Sequence, residues 1–152
     1  MSSGRTAQFT FNLDPIGKGR PRVVQVNGHS MAFTPKKTAH AEQIIRAQVT
    51  AEGGGEFFEA GTPLSLDVEF VMAKPPSAPK KRHYPTTKPD IDNCYKLLTD
   101  ALERFLYSND SQIVDVHMRK VYGAVPCITV TVAEVEAPPV LVSDLLAGAM
   151  LL

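Results

Sequence analysis

Residues 8–13 alternate, with Phe9, Phe11 and Leu13 on one side, which predicts a half-buried strand. Val23–Val26 and Met31–Phe33 flank Asn27-Gly28, a tight-turn dipeptide, and read as a hairpin. Thr34-Pro35 ends that hairpin. Thr38 or a neighbour is placed to cap a helix over about residues 39–51, with Ala41, Ile44, Ile45, Gln48 and Val49 near its buried side. Leu64–Met72 alternates most cleanly: Leu64, Leu66, Val68, Phe70 and Met72 face in, and Ser65, Asp67 and Glu69 face out. Residues 73–89 hold Pro75, Pro76, Pro79, Pro85 and Pro89, a density that forbids regular helix or central strand. A second helix is predicted over about residues 92–107, its stripe formed by Cys94, Leu97, Leu98, Ala101, Leu102, Phe105 and Leu106. Residues 113–122 and 127–135 read as two further strands joined near Gly123. This order predicts an α+β fold: one domain over residues 1–136, a mixed β-sheet with two main helices packed on it. Residues 137–152, acidic and leucine-rich, form a tail that reads as a short docked helix, a partner-binding motif or a flexible extension.

A chain of 152 residues is long enough for one domain with a real core, and 43% apolar with 21% charged residues is a globular mix that excludes wholesale disorder. No run approaches the roughly 18 apolar residues of a membrane span, and the first residues lack an apolar signal core. Cys94 and Cys127 lack zinc-site spacing and are too few for a disulfide scaffold, so a reducing cytoplasm is the expected location. The net charge is zero but unevenly spread. Residues 1–96 carry 13 Lys+Arg against 9 Asp+Glu, and residues 97–152 carry 3 against 7. That asymmetry suggests a cationic face meeting an anionic partner, or acids elsewhere that merely compensate. The cations fall in groups: Lys18, Arg20 and Arg22; Lys36 and Lys37; and Lys80, Lys81 and Arg82, with Lys88 in the same proline-rich loop. They suit phosphate contacts that position a nucleic acid without reading its sequence, or a solvated surface.

The chemically informative segment is Lys88-Pro89-Asp90-Ile91-Asp92-Asn93-Cys94-Tyr95-Lys96. Two carboxylates stand two residues apart where an extended loop enters a helix, so both side chains can converge on one cation. Lys96 lies one helical turn after Asp92. Asp110 precedes the strand at 113 and reaches the same cluster if that strand pairs beside the segment leading to Asp90. Oxygen-only ligands suit Mg²⁺. The competing reading is that the acids only cap a helix. Asp100, four residues after Lys96, reads as its helix-surface ion-pair partner.

The string K-P-D-I-D-N-x-x-K-x-x-x-D-A-L at 88–102, followed by N-D-S-Q-I-V-D at 109–115, resembles the RusA family of Holliday-junction resolvases. G-K-G-R-P-R at 17–22 and F-T-P-K-K-T at 33–38 are similar to the opening of its prophage-type members. The resemblance spans about residues 8–135. It implies a Mg²⁺- or Mn²⁺-dependent endodeoxyribonuclease that acts as a homodimer and nicks two strands of a four-way junction symmetrically. It further implies metal binding by Asp90, Asp92 and Asp110, a catalytic role for Lys96 and a supporting one for Asn93. A flap- or replication-structure nuclease with the same cluster, and a non-catalytic junction-binding module, are the alternative functions. The tail after residue 136 lies outside the family pattern and is a candidate protein-partner site.

Overall fold

The computed structural model describes residues 4–53, 57–137 and 142–150. Its central strand is the segment of cleanest alternation. Leu64–Met72 forms β4, and Leu64, Leu66, Val68 and Phe70 are at most 2% exposed while Asp67 stands in solvent. Around it the chain forms β1 (Thr6–Phe11), β2 (Arg22–Val26), β3 (His29–Phe33), α1 (Lys36–Ala51), α2 (Ile91–Leu102), β5 (Ile113–Tyr122), β6 (Cys127–Glu134) and α3 (Val142–Met150). The main sheet runs β1-β6-β4-β5. β4 and β5 are parallel, and the other pairs are antiparallel, so the sheet is mixed and the fold is α+β as expected.

One sheet face is apolar and lies under the helices. Phe9 and Phe11 of β1, the inward set of β4, and Ile128, Val130 and Val132 of β6 meet Ala41, Ile45 and Val49 of α1 and the stripe Cys94, Leu97, Leu98, Ala101 and Leu102 of α2. The other face is polar. There Arg119 Nε lies 2.6 Å from Glu69 and its Nη1 3.7 Å from Asp67, which also sits 3.3 Å from His117. The hairpin β2–β3 forms a separate two-stranded sheet, closed by Asn27 and Gly28 at φ 49° and 80°, the positive pair that a tight hairpin turn requires. Every residue of its two strands is exposed.

Several expected boundaries shift, and β1 covers Thr6–Phe11 rather than 8–13. α1 begins at Lys36 with Pro35 in the N-cap position, and Thr38 is not its cap. Thr38 is buried and its Oγ1 accepts a 2.9 Å bond from the Gly19 N–H, tying the basic loop to α1. α2 stops at Leu102 rather than 107. Arg104 turns the chain at φ 67°, and its N–H donates to the Tyr107 carbonyl at 2.7 Å. The apolar spacing continues past the helix because Leu106 and Tyr107 still fill the core from this turn. Arg46 covers the helix end, donating from Nε to the Ala101 carbonyl (3.2 Å) and from Nη2 to that of Asp100 (3.1 Å), a cation on free C-terminal carbonyls. Residues 142–150 of the tail are helical, with Val142, Leu145 and Leu146 exposed; 138–141 and 151–152 lie outside the described residues.

Gln112 shows how a short polar segment is held. It is 7% exposed. Its Oε1 accepts from the Ser108 and Asn109 N–H groups, and its Nε2 donates to the carbonyls of Glu59 and Thr62. One amide thus satisfies four backbone groups across two loops. Gln112→Ala leaves these groups short of partners and is expected to lower stability by about 2–3 kcal/mol in a chemical denaturation series; a loss below about 0.5 kcal/mol would show that the loops re-pair without it.

Cys94 is 1% exposed, and burial, followed by the charges of Asp90 and Asp92, pushes its thiol from 9.0 up to about 11 against the pull of Lys120. The folded chain therefore holds this proton to higher pH than the unfolded chain does. Its contribution to stability is complete below about 9 and is lost as pH rises towards about 11. At pH 8 the native protein is expected to react with a thiol reagent at the half-buried Cys127 alone, and at both cysteines once unfolded. Peptide mapping of the modified sites reads this directly.

Candidate active site

The parallel pair β4 and β5 is joined by the proline-rich loop, α2 and the segment before β5. In such a crossover the helix starts beyond the carboxyl ends of the strands, the usual position of α/β sites. Asp90 occupies the N-cap with extended backbone (φ −68°, ψ 145°), yet its carboxylate makes no capping bond. Its carbonyl receives the Asn93 and Cys94 N–H groups at 3.1 Å, so the helix start is closed by backbone alone. Asp92 lies in the first turn. Both carboxylates and Lys96 are exposed, and among the described residues none of the three has a hydrogen-bond or ion-pair partner. The capping alternative is thus not realised at Asp90.

Asn93 is engaged locally. Its carbonyl accepts the Lys18 N–H at 3.1 Å, and its side chain lies so close to Gly17 that a Cβ there would collide with Nδ2. Gly19 is equally confined, since an added Cβ would lie 2.7 Å from the Pro35 ring and 2.9 Å from Thr38 Oγ1. These two glycines permit close packing of the basic loop on α1 and α2. Lys18 between them is not free. Its Nζ lies 2.5 Å from Glu42 and 3.0 Å from Asp100, bridging the two helices. Burial opposes its charge, but the bonds to Glu42 and Asp100 outweigh burial and raise its pKa. Asp100 is therefore paired with Lys18, from the opposite end of the domain sequence, and not with Lys96.

The third aspartate departs from expectation. The strand after Asp110 does pair with β4, the strand before the Asp90 loop, but in parallel. Parallel direction places the start of β5 at the opposite edge of the sheet from the end of the loop. Asp110 accordingly lies near the other end of α2. Its carboxylate clusters with those of Asp100 and Glu103, one ligand atom of each within 4.8 Å of the others, and its N–H donates to Glu103 Oε1 at 3.3 Å. Burial and then the charge of Asp110 raise the Tyr95 phenol. Ten residues separate Asp90 from Asp100, about 15 Å of axial rise. Among the described residues, the acids whose ligand atoms gather within 4.8 Å are Asp100, Glu103 and Asp110, without Asp90 and Asp92.

The basic residues divide into three surfaces. Arg22, Lys36 and Lys37 line one recess of about 490 Å³ at the base of the hairpin, with Phe33, Thr34 and Pro35. Arg20 is exposed beside it in sequence. Lys80, Lys81 and Arg82 sit on a loop that folds round Lys74, whose Nζ donates to the carbonyls of Lys80 (3.3 Å) and Arg82 (2.7 Å). Lys88 lines a second recess of about 610 Å³ with Tyr84, Asp90, Ile91 and Lys120.

Lys120 is the residue that sequence reading overlooks. Its Nζ donates to the carbonyls of Thr87 (3.0 Å) and Pro89 (2.9 Å), immediately before Asp90. A signal was present: in the alternation of residues 113–122 it shares parity with Val116 and Met118, on the core side of the strand.

The chain is similar to known proteins over most of its length. The family model for Endodeoxyribonuclease RusA matches residues 12–133. A Bacillus subtilis (strain 168) protein, the uncharacterized YqaN, is 35% identical over 140 residues, covering 86% of this chain and 97% of that protein. The crossover junction endodeoxyribonuclease rusA of Lactococcus phage r1t is 32% identical over 133 residues, covering 84% of this chain and 98% of the phage protein. The matched residues 12–133 run from just after β1 into β6, and the chain belongs to the RusA endodeoxyribonuclease family.

Proposed function

We propose that the protein is a divalent-metal-dependent endonuclease that resolves four-way DNA junctions by paired symmetric nicks, working as a homodimer in the cytoplasm. The observation that carries this reading is the pair Asp90 and Asp92: two exposed carboxylates, two residues apart, engaged neither in capping nor in ion pairs among the described residues. Such a pair repels itself unless a cation intervenes. Its all-oxygen donor set fits Mg²⁺ or Mn²⁺. When bound, the ion supplies charge neutralisation at the phosphodiester and an activated water nucleophile. Lys96, one turn along the same exposed stripe, stabilises charge on the leaving oxygen. The recess of Arg22, Lys36 and Lys37, together with Lys80, Lys81, Arg82 and Lys88, contacts DNA phosphates; Arg20 joins them. Lys18 has a structural part to play first, since its ammonium is already shared by Glu42 and Asp100.

Asp110 enters this site through the dimer. A two-fold axis perpendicular to α2 near its midpoint sets two copies of the helix antiparallel. Each Asp90/Asp92 pair then meets the Asp100, Glu103 and Asp110 end of the other copy. Two such sites face the two strands of a pseudo-symmetric junction. The separation of Asp110 from Asp90 within one chain supports this arrangement over a site built in a single protomer.

Asp92→Asn is expected to reduce cutting of a labelled four-way junction by about 100-fold or more in Mg²⁺ while leaving junction binding in chelator unchanged or tighter. Normal cutting would remove Asp92 from the site, and faster cutting of a flap than of a junction would reassign the substrate. Mixing Asp92→Asn with Asp110→Asn, each inactive alone, is expected to restore single-strand nicking, because the heterodimer then holds one intact site. No recovery after subunit exchange would favour a site within one chain. Lys81→Ala should weaken binding to junction, flap and duplex alike and lower the salt slope by about 1.

A further inference from the structure

We propose that Lys120 is a positioning residue that clamps the approach to the Asp90/Asp92 pair and so sets its affinity for the metal. This rests on the reading of that pair as metal ligands. The register of the parallel strands pairs Leu66 with Val116, Val68 with Met118 and Phe70 with Lys120, so Lys120 stands on the side of β5 that faces the helices. A lysine there is half-buried, and burying an ammonium is unfavourable unless it is bonded. Its partners are not carboxylates. They are two backbone carbonyls, of Thr87 at 3.0 Å and Pro89 at 2.9 Å, on either side of Lys88. The loop they belong to has no strand or helix of its own to fix it, and its prolines supply no N–H groups. Two bonds from one ammonium on a rigid strand therefore fix the last residues before Asp90.

The consequence is geometric. Holding the backbone at 87–89 sets the position from which the Asp90 carboxylate projects before any ion arrives, so less ordering is left to binding. The same ammonium lines the recess that Asp90 lines. Lys96, by contrast, stands exposed on α2. Lys120 touches backbone and not substrate, and so acts through Asp90.

Mn²⁺ binding to the DNA-free dimer, followed by electron paramagnetic resonance, tests this without reference to turnover. Lys120→Met is expected to weaken Mn²⁺ binding about tenfold or more, the scale for losing an outer partner of a metal ligand. The half-saturating Mg²⁺ for junction cutting should rise in parallel, and the junction Kd in chelator should stay within about threefold of wild type. Lys120→Arg, which keeps charge and donors, should recover most of the Mn²⁺ affinity. Unchanged Mn²⁺ affinity in Lys120→Met overturns the proposal, and so does a loss confined to junction binding. Should Lys120→Met fail to melt cooperatively, Lys120→Leu, which likewise has no donor, takes its place; wild-type Mn²⁺ affinity in Lys120→Leu overturns the proposal too. Asp92→Asn serves as the reference. If it loses Mn²⁺ while Lys120→Met does not, only the role of Lys120 falls; if it keeps both Mn²⁺ and cutting, the reading of the carboxylate pair falls and this assignment with it.

Discussion

Helix α2 can bury only one of its sides, and this constraint organises the molecule. Cys94, Leu97, Leu98, Ala101 and Leu102 must leave water, and the apolar face of the sheet is where they go. At about 25 cal/mol per Å² of apolar surface removed from water, a stripe of this size outweighs any local preference of the polar residues between. Once that side is committed, Asp92 and Lys96 are forced outward together. Asp90, one residue before the helix, is released into solvent at its entrance. The polar residues of α2 therefore owe their placement to the leucines, and the clips at either end refine it. Lys18 draws Asp100 to α1, and Arg46 seals the last carbonyls. A parallel neighbour strand then decides what lies at each end of the helix.

Much of this was legible in residue order. The alternation of Leu64–Met72 and of residues 113–122 located both strands of the crossover at their observed bounds, because period two has few competing explanations over nine or ten residues. The stripe of α2 and the family motif at its start were equally plain. The helix end was not. Leu106 and Tyr107 keep the apolar rhythm after the backbone has turned at Arg104, and hydrophobic spacing cannot distinguish a helix from a turn that fills the same core.

The acids illustrate a different limit. Residue spacing identified Asp90, Asp92 and Asp110 as candidates but carries no strand direction. Antiparallel pairing of β5 with β4 would have brought Asp110 to the end of β4 where the Asp90 loop begins; parallel pairing sends it to the far edge. The same blindness hid two lysines of opposite character. Lys18 looked like a phosphate contact because it belongs to a basic group with Arg20 and Arg22, but its ammonium is consumed by Glu42 and Asp100, far off in sequence. Lys120 went unremarked, although its parity with Met118 already placed it on the helix side of the strand.

The hairpin of β2 and β3 stands apart from this economy. Val24, Val26, Met31 and Phe33 share one of its sides with Arg22 and His29, and that side is open. A ribbon of two strands is marginal when left to itself. Its order thus draws on the Gly19–Thr38 tether and the turn at its tip rather than on the core. Substitutions along the ribbon fall outside the ledger of global unfolding, and its sequence is free to drift towards whatever shape it has to grip.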